Sequence, residues 1–220
     1  MQNRLERWSH LNMALIGGFI GGYAIVNHHD LLGSAQTGNM IALALYVGGM
    51  HTIDWLVRLL GMVIYMLGIA IAVLLPKKIE SIKLKRFSIL LDMAALLTVG
   101  FLPGKTDHFV ALYPLFLASS VQLCSFPGAD GFTCSSIFST NNLRQCTSSF
   151  VEYFCSHDRE ALRKGKFYGK VLFCFHLGAA LSYPASQAMG LKSAWLGLIP
   201  CAVALGLNNR ENHTNVRCSH

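Results

Sequence analysis

Gln36-Thr37-Gly38-Asn39, set between two apolar stretches, nearly recurs about a hundred residues later as Thr140-Asn141-Asn142-Leu143-Arg144 between two more. Polar, helix-breaking residues are costly inside hydrocarbon. Two such breaks at corresponding places in two halves of an oily chain therefore mark a buried functional site between repeated units.

The surroundings of the breaks set the solvent. Of 220 residues, 53% are hydrophobic and only 13% charged, and the mean hydropathy is +0.43. That balance excludes an ordinary soluble domain and predicts an all-α polytopic membrane protein. Apolar runs lie at Leu11 to Val26, Trp55 to Leu75, Phe87 to Leu102, Phe109 to Leu123, Val171 to Met189 and Ala194 to Leu207. Each approaches the roughly 20 residues that a crossing needs, so six spans are expected. No cleavage pattern follows the first run, where His28-His29-Asp30 stand, and this helix is expected to remain as an uncleaved insertion signal.

A formal charge of +7 would suggest nucleic acid in a soluble protein, but in a membrane the basic residues report orientation. With the N-terminus in the cytoplasm, 15 of the 18 Lys and Arg fall on that side, and only Arg58, Lys105 and Lys192 on the other. Both termini are then cytoplasmic, consistent with an even span count. Seven cysteines at irregular spacing read as reduced packing residues. They form no C-x-x-C pair and no zinc-like spacing with histidine, so neither a metal nor a cofactor is expected.

The whole chain, 1–220, reads as one integral membrane domain: a first repeat over about 8–103, a second over about 107–207, and a polar tail at 208–220. In the first half a helix is followed by a break from Ser34 to Asn39, an apolar segment from Met40 to Val47 too short to cross, a Gly48-Gly49 turn and two more spans. The second half repeats that order. Its first helix ends near Gln122 to Phe126, a Gly-rich loop follows, and the break at Ser139 to Asn142 precedes a shorter helix. Three spans per half is odd, so the halves enter from opposite sides as inverted repeats, each with a re-entrant half helix. The long helices also share Tyr65-Met66-Leu67-Gly68-Ile69 and Phe175-His176-Leu177-Gly178-Ala179, whose glycines predict close helix contacts.

Gly17-Gly18-Phe19-Ile20-Gly21-Gly22-Tyr23, followed by Ala35-Gln36-Thr37-Gly38-Asn39, resembles the YoaK family of small multi-pass bacterial membrane proteins, a family of unknown function. Gln122, Phe126, Gly131 and Thr140 to Arg144 resemble that family's second signature, which usually ends Thr-Gly-Asn-Leu-Arg. The resemblance covers about Trp8 to Leu207 and implies an inner-membrane protein of about six helices, often guessed to transport. Two departures stand out: Gly21 occupies the place of a typical aspartate, and Asn141 that of a glycine.

The expected substrate-binding residues are Gln36, Thr37, Gly38, Asn39, Gln122, Thr140, Asn141, Asn142 and Arg144. Exposed N–H groups at a half-helix start carry partial positive charge and suit an anion or polar solute. The competing reading is a set of satisfied helix caps, with Gln122 as glue between helices and Arg144 as an interfacial anchor. Asp92 reads as neutralised by Lys85 and Arg86, His176 as bonded to a neighbouring carbonyl, Asp130 as a turn residue, and His28 and His29 as a polar collar. The leading expectation is a non-enzymatic carrier for a small polar or anionic solute in the bacterial inner membrane. Its partners would be the lipid bilayer and that solute, with no nucleic acid; a homo-oligomer is left open. The alternative is a membrane scaffold that binds a partner or anionic lipid through basic loops. No Ser/His, paired-Asp or metal constellation supports an intramembrane enzyme.

Overall fold

The computed structural model describes residues 2–29, 31, 36–46, 52–77 and 80–218, and among these the chain is helical almost throughout. The proline-free run Gln2–Asn27 forms α1, after which His29 takes a positive φ of 51° that turns the chain away. The ten residues of α2, Thr37–Tyr46, cover about 15 Å, half the thickness of a bilayer's hydrocarbon. Then come α3 (Thr52–Leu74), α4 (Ser81–Phe101) and, after a 3-10 turn at Val110–Leu112, α5 (Tyr113–Ser125).

A two-rung hairpin interrupts the helices, with β1 (Gly128–Ala129) antiparallel to β2 (Phe132–Thr133). Its turn is Asp130-Gly131, both at positive φ (56° and 82°), the backbone that a tight hairpin requires. Three helices complete the chain: α6 (Thr140–Ser156), α7 (Arg159–Met189) and, after a 3-10 segment at Gly190–Gly197, α8 (Leu198–Cys218). All six apolar runs fall within these elements. α8 runs on through the stretch read as a polar tail, because Asn208 and Glu211 are buried against α4. Ser34 and the Val47 to Gly49 turn lie outside the described residues.

Among the described residues, three stretches are long and apolar enough to cross a membrane: Arg4–Asn27, Ile53–Leu74 and Arg159–Asn212. The last contains α7 and α8, which double back on each other. Large apolar side chains point outward along these helices, among them Leu60, Met66, Leu67, Phe173, Leu181, Ile199 and Val203. A soluble monomer would not expose so continuous a belt. Within the bundle α1 is central, 78% of its apolar window being covered by protein against 22% for α3.

Helix directions follow from side-chain neighbours. α1 and α7 run parallel, with Gly18 at Phe175, Gly22 at Ala179 and Asn27 donating to the Ser186 hydroxyl at 2.8 Å. α3 and α5 also run parallel, since the Tyr113 hydroxyl donates to the Val57 carbonyl at 2.7 Å and Gly68 faces Leu117 and Ser120. α8 is antiparallel to α1, pairing Asn12 with the Pro200 carbonyl at 2.8 Å and Phe19 with Gly197. It is antiparallel to α4 as well: Lys85 meets Glu211, and Asp92 lies in electrostatic reach of Cys201. Exchanging α1 with α5, α3 with α7 and α4 with α8 turns the pair α1–α7 into α5–α3 and α1–α8 into α5–α4, and leaves α4–α8 unchanged.

The glycine reading holds in detail. A β-carbon on Gly178 would overlap the Leu15 carbonyl oxygen, and one on Gly18 would overlap that of Phe175, so α1 and α7 meet backbone to backbone.

Candidate functional site

The chain from Phe126 to Ser139 first drops to the N-terminal end of α1, where Arg7 holds Asp130 at 3.1 Å, and then climbs back to mid-helix, where the Ser136 carbonyl abuts Gly17. From there α6 runs back along α7, with Cys146 and Phe150 both against Gly165. Loop and helix thus leave by the side on which they came in.

Two side chains hold this loop. Gln122, wholly buried, donates to the Met13 carbonyl at 2.9 Å and to the Ser136 hydroxyl at 3.0 Å, tying α5 to α1 and to the loop. Its Oε1 has no partner among the described residues. Asn142, also buried, donates to the carbonyls of Ser135 (2.7 Å) and Phe138 (2.9 Å) and accepts from Cys134 Sγ (3.3 Å) and the Ser135 N–H (3.4 Å). Both donors and both lone pairs of its amide are committed to the chain. Ser139, the residue before α6, makes no side-chain cap, so among the described residues the first backbone N–H groups of α6 have no side-chain partner.

The first break has the same plan on a smaller scale. Asn39, three residues after Gln36, donates to Gln36 Oε1 at 3.1 Å and accepts from Arg58 Nη1 at 3.4 Å. Thr37 and Gly38 are exposed and Asn39 buried, which repeats the pattern of Thr140, Asn141 and Asn142. Arg144 is exposed and bonds only within its own turn, to Asn141 Oδ1 at 3.1 Å.

Ahead of α6 lies a cavity of about 350 Å³. Its floor is Gly18, Gly21 and Gly22 of α1, its roof Phe138, Ser139 and Thr140, and its wall Phe175, His176 and Ala179 of α7. A β-carbon on Gly21 would meet nothing within 4 Å, so that position opens straight into the space. His176 Nδ1 lies 2.8 Å from the Leu172 carbonyl and must donate to it, as the sequence suggested, which leaves Nε2 as an acceptor. Of the residues expected to bind solute, Thr140 lines this cavity. Gln36, Thr37, Gly38 and Asn39 do not, since α2 packs on α3 at the bundle's periphery.

The glycine floor, the loop that folds back and both polar breaks fall within one continuous match. The chain belongs to the DUF1275 family. The family's sequence model, described as "Protein of unknown function (DUF1275)", matches residues 10–207. No curated protein and no solved structure matches the chain.

The structure also corrects two readings of this family member. Lys85 does not neutralise Asp92. Its ammonium is 2.8 Å from Glu211 in a largely buried pair, while Asp92, fully buried on α4, has no partner for either oxygen among the described residues. The signal was the helical spacing: α4 begins at Ser81, which sets Asp92 on the buried face three turns in. His28 and His29 form no simple collar either, since both rings approach His108, at centroid distances of 5.6 Å and 4.0 Å. The positive φ of His29 reverses the chain and lets adjacent side chains converge. Asp30 lies outside the described residues.

Proposed function

We propose that the protein is a carrier for a small polar or anionic solute, bound in the cavity between α1, the α6 N-terminus and α7. One observation carries this reading: the N-terminus of α6, uncapped by Ser139, faces a partly open cavity lined by three glycines. Such an end presents partial positive charge to a ligand without a formal charge to desolvate. Thr140 and His176 Nε2 add one hydroxyl and one acceptor, enough to orient a hydroxylated acid whose own O–H donates to Nε2.

We read the bundle as six spans in two inverted repeats, in the bacterial inner membrane with both termini cytoplasmic. Supporting this are the alternating helix directions and the packing pattern that maps onto itself when the halves are exchanged. Corresponding helices α4 and α8 run antiparallel, as inversion demands. Alternating access would then rock one repeat against the other. The backbone contact of α1 with α7 couples cavity opening to the relative position of the two repeats.

The test is a ligand-stabilisation screen of the purified full chain against carboxylates, hydroxy acids, sugars, amino acids and inorganic anions. A ligand that raises Tm should lose its effect in Gly21→Leu, which fills the cavity, and keep it in Thr37→Val. Retention in Gly21→Leu, or a flat screen, would overturn the assignment.

A further inference from the structure

Asp92 lies 11 residues from Ser81 and 9 from Phe101, about 16 Å and 14 Å from the two ends of α4, hence near the middle of the bundle. It has no exposed surface and no partner for either carboxyl oxygen among the described residues. An ionised carboxylate without a counter-charge is prohibitively expensive there, so Asp92 carries its proton in this conformation. The protonated group is itself unsatisfied, because its O–H finds no acceptor. An apolar residue would serve stability better.

The surroundings of Asp92 form a column. On the same face of α4 lie Lys85 and Ser88 toward the helix start and Val99 toward its end, at helical spacings of three and four. Toward the start, Ser88 is buried with its hydroxyl unpartnered among the described residues, and beyond it lies the Lys85–Glu211 pair, with the buried His10 of α1 in electrostatic reach of Lys85. Toward the other end, Val99 lines a second cavity of about 300 Å³, shared with Asn27, His28, Thr106 and His108. Asp92 is closed to both routes in this structure.

Titratable or charged groups on the packed elements are few. On α8, Cys201 is the near neighbour, Glu211 is paired with Lys85, and Arg210 is exposed. On α1 there is His10, within electrostatic reach of Lys85, and on α5 the half-buried Tyr113 and Cys124. Lys192, in the 3-10 segment packed on α4, is exposed over the Trp195 ring. Among the described residues, none of these groups hydrogen-bonds to either carboxyl oxygen of Asp92.

We propose that Asp92 is the proton-binding site that couples the carrier to a proton gradient. It takes a proton from a hydronium in the His28/His108 cavity, one water O–H bond breaking as the carboxyl O–H forms, and returns it to water on the Ser88 side once a conformational change wets the α4/α8 interface. Nothing else is consumed. A metal cation is disfavoured, because a single carboxylate with one nearby hydroxyl falls short of the six oxygens that a hard cation takes. The coupling rests on the carrier reading; the proton site does not.

The experiment is an infrared pH titration of the full-length protein in lipid. Wild type should show a protonated carboxyl that survives at neutral pH, shifts on isotopic labelling of aspartate carboxyls, and disappears in Asp92→Asn. Absence of that band, or its persistence in Asp92→Asn, overturns the site. Aspartate labelling of wild type decides the point even if the variant fails to fold. For coupling, maleimide labelling of Gly21→Cys in the solute cavity should change several-fold between neutral and alkaline pH, relative to Gly21→Cys/Asp92→Asn. Equal pH profiles overturn coupling. If no solute binds while the aspartate band and the labelling difference persist, the carrier reading alone fails.

Discussion

Replacing Gly178 with alanine adds one methyl group where α7 meets the backbone of α1. The new carbon would overlap the Leu15 carbonyl oxygen and lie 2.9 Å from both Leu15 C and Phe19 N, against ordinary contact beginning near 3.4 Å. Neither helix can yield locally, because Gly18 on α1 receives the Phe175 carbonyl in the same way. The pair must part by roughly 1 Å along its length, an overpacking cost of about 1–3 kcal/mol. Alanine returns about 1 kcal/mol of helix propensity, leaving a net loss of about 0–2 kcal/mol. Gly21→Ala supplies the control: it gains the propensity and meets nothing within 4 Å, so it should be neutral to stabilising. Gly68→Ala should fall between them, since its main obstacle is the Ser120 hydroxyl, the end of a side chain that can rotate. Denaturant unfolding of the three variants in mild detergent checks the order. Gly178→Ala no less stable than Gly21→Ala would refute backbone contact as the determinant of α1–α7 packing.

Two further outcomes follow from buried charge. Breaking the Lys85–Glu211 pair, with side chains only 12% and 8% exposed, by Lys85→Met alone should cost about 3–5 kcal/mol. Adding Glu211→Leu should recover most of that loss, and a double variant no better than the single would show in the same unfolding assay that the pair is not self-contained. His28, just beyond the end of α1, is held down at about 4 by burial, then by the His108 and His29 imidazoles. The unfolded chain takes up that proton near 6.5, so the residue's contribution is complete above about pH 6.5 and is lost as pH falls toward 4. His28→Gln should flatten the acid side of the Tm–pH curve; a curve parallel to wild type through that window would count against the burial argument.

The helices were legible because hydrocarbon imposes a simple rule on sequence: backbone polar groups must be satisfied within the segment, so spans read as long apolar runs and their interruptions read as breaks. The second break was legible in place but not in its bounds: a helix was expected after Asn142, and α6 begins at Thr140, the first residue of the quoted motif. The roles of its amides were not. Asn142 and Gln122 looked like ligands for a solute, yet their partners are backbone carbonyls of Ser135, Phe138 and Met13, two of them brought close only by a loop that folds back on itself. The cavity was illegible for a related reason, since it is floored by glycines, which announce the absence of side chains and not what stands opposite.

Asp92 shows the division most clearly. Sequence placed it two turns from two basic residues, a distance at which pairing is chemically reasonable. The packing of α8 antiparallel to α4 hands Lys85 to Glu211, 126 positions away, and leaves Asp92 alone. Sequence by itself determined the membrane class, the helical segments and the two breaks, because these depend on local hydropathy and spacing. Tertiary structure alone decided which polar groups are satisfied and which are not, because a hydrogen-bond partner in a bundle belongs to a neighbouring helix whose register no local pattern encodes.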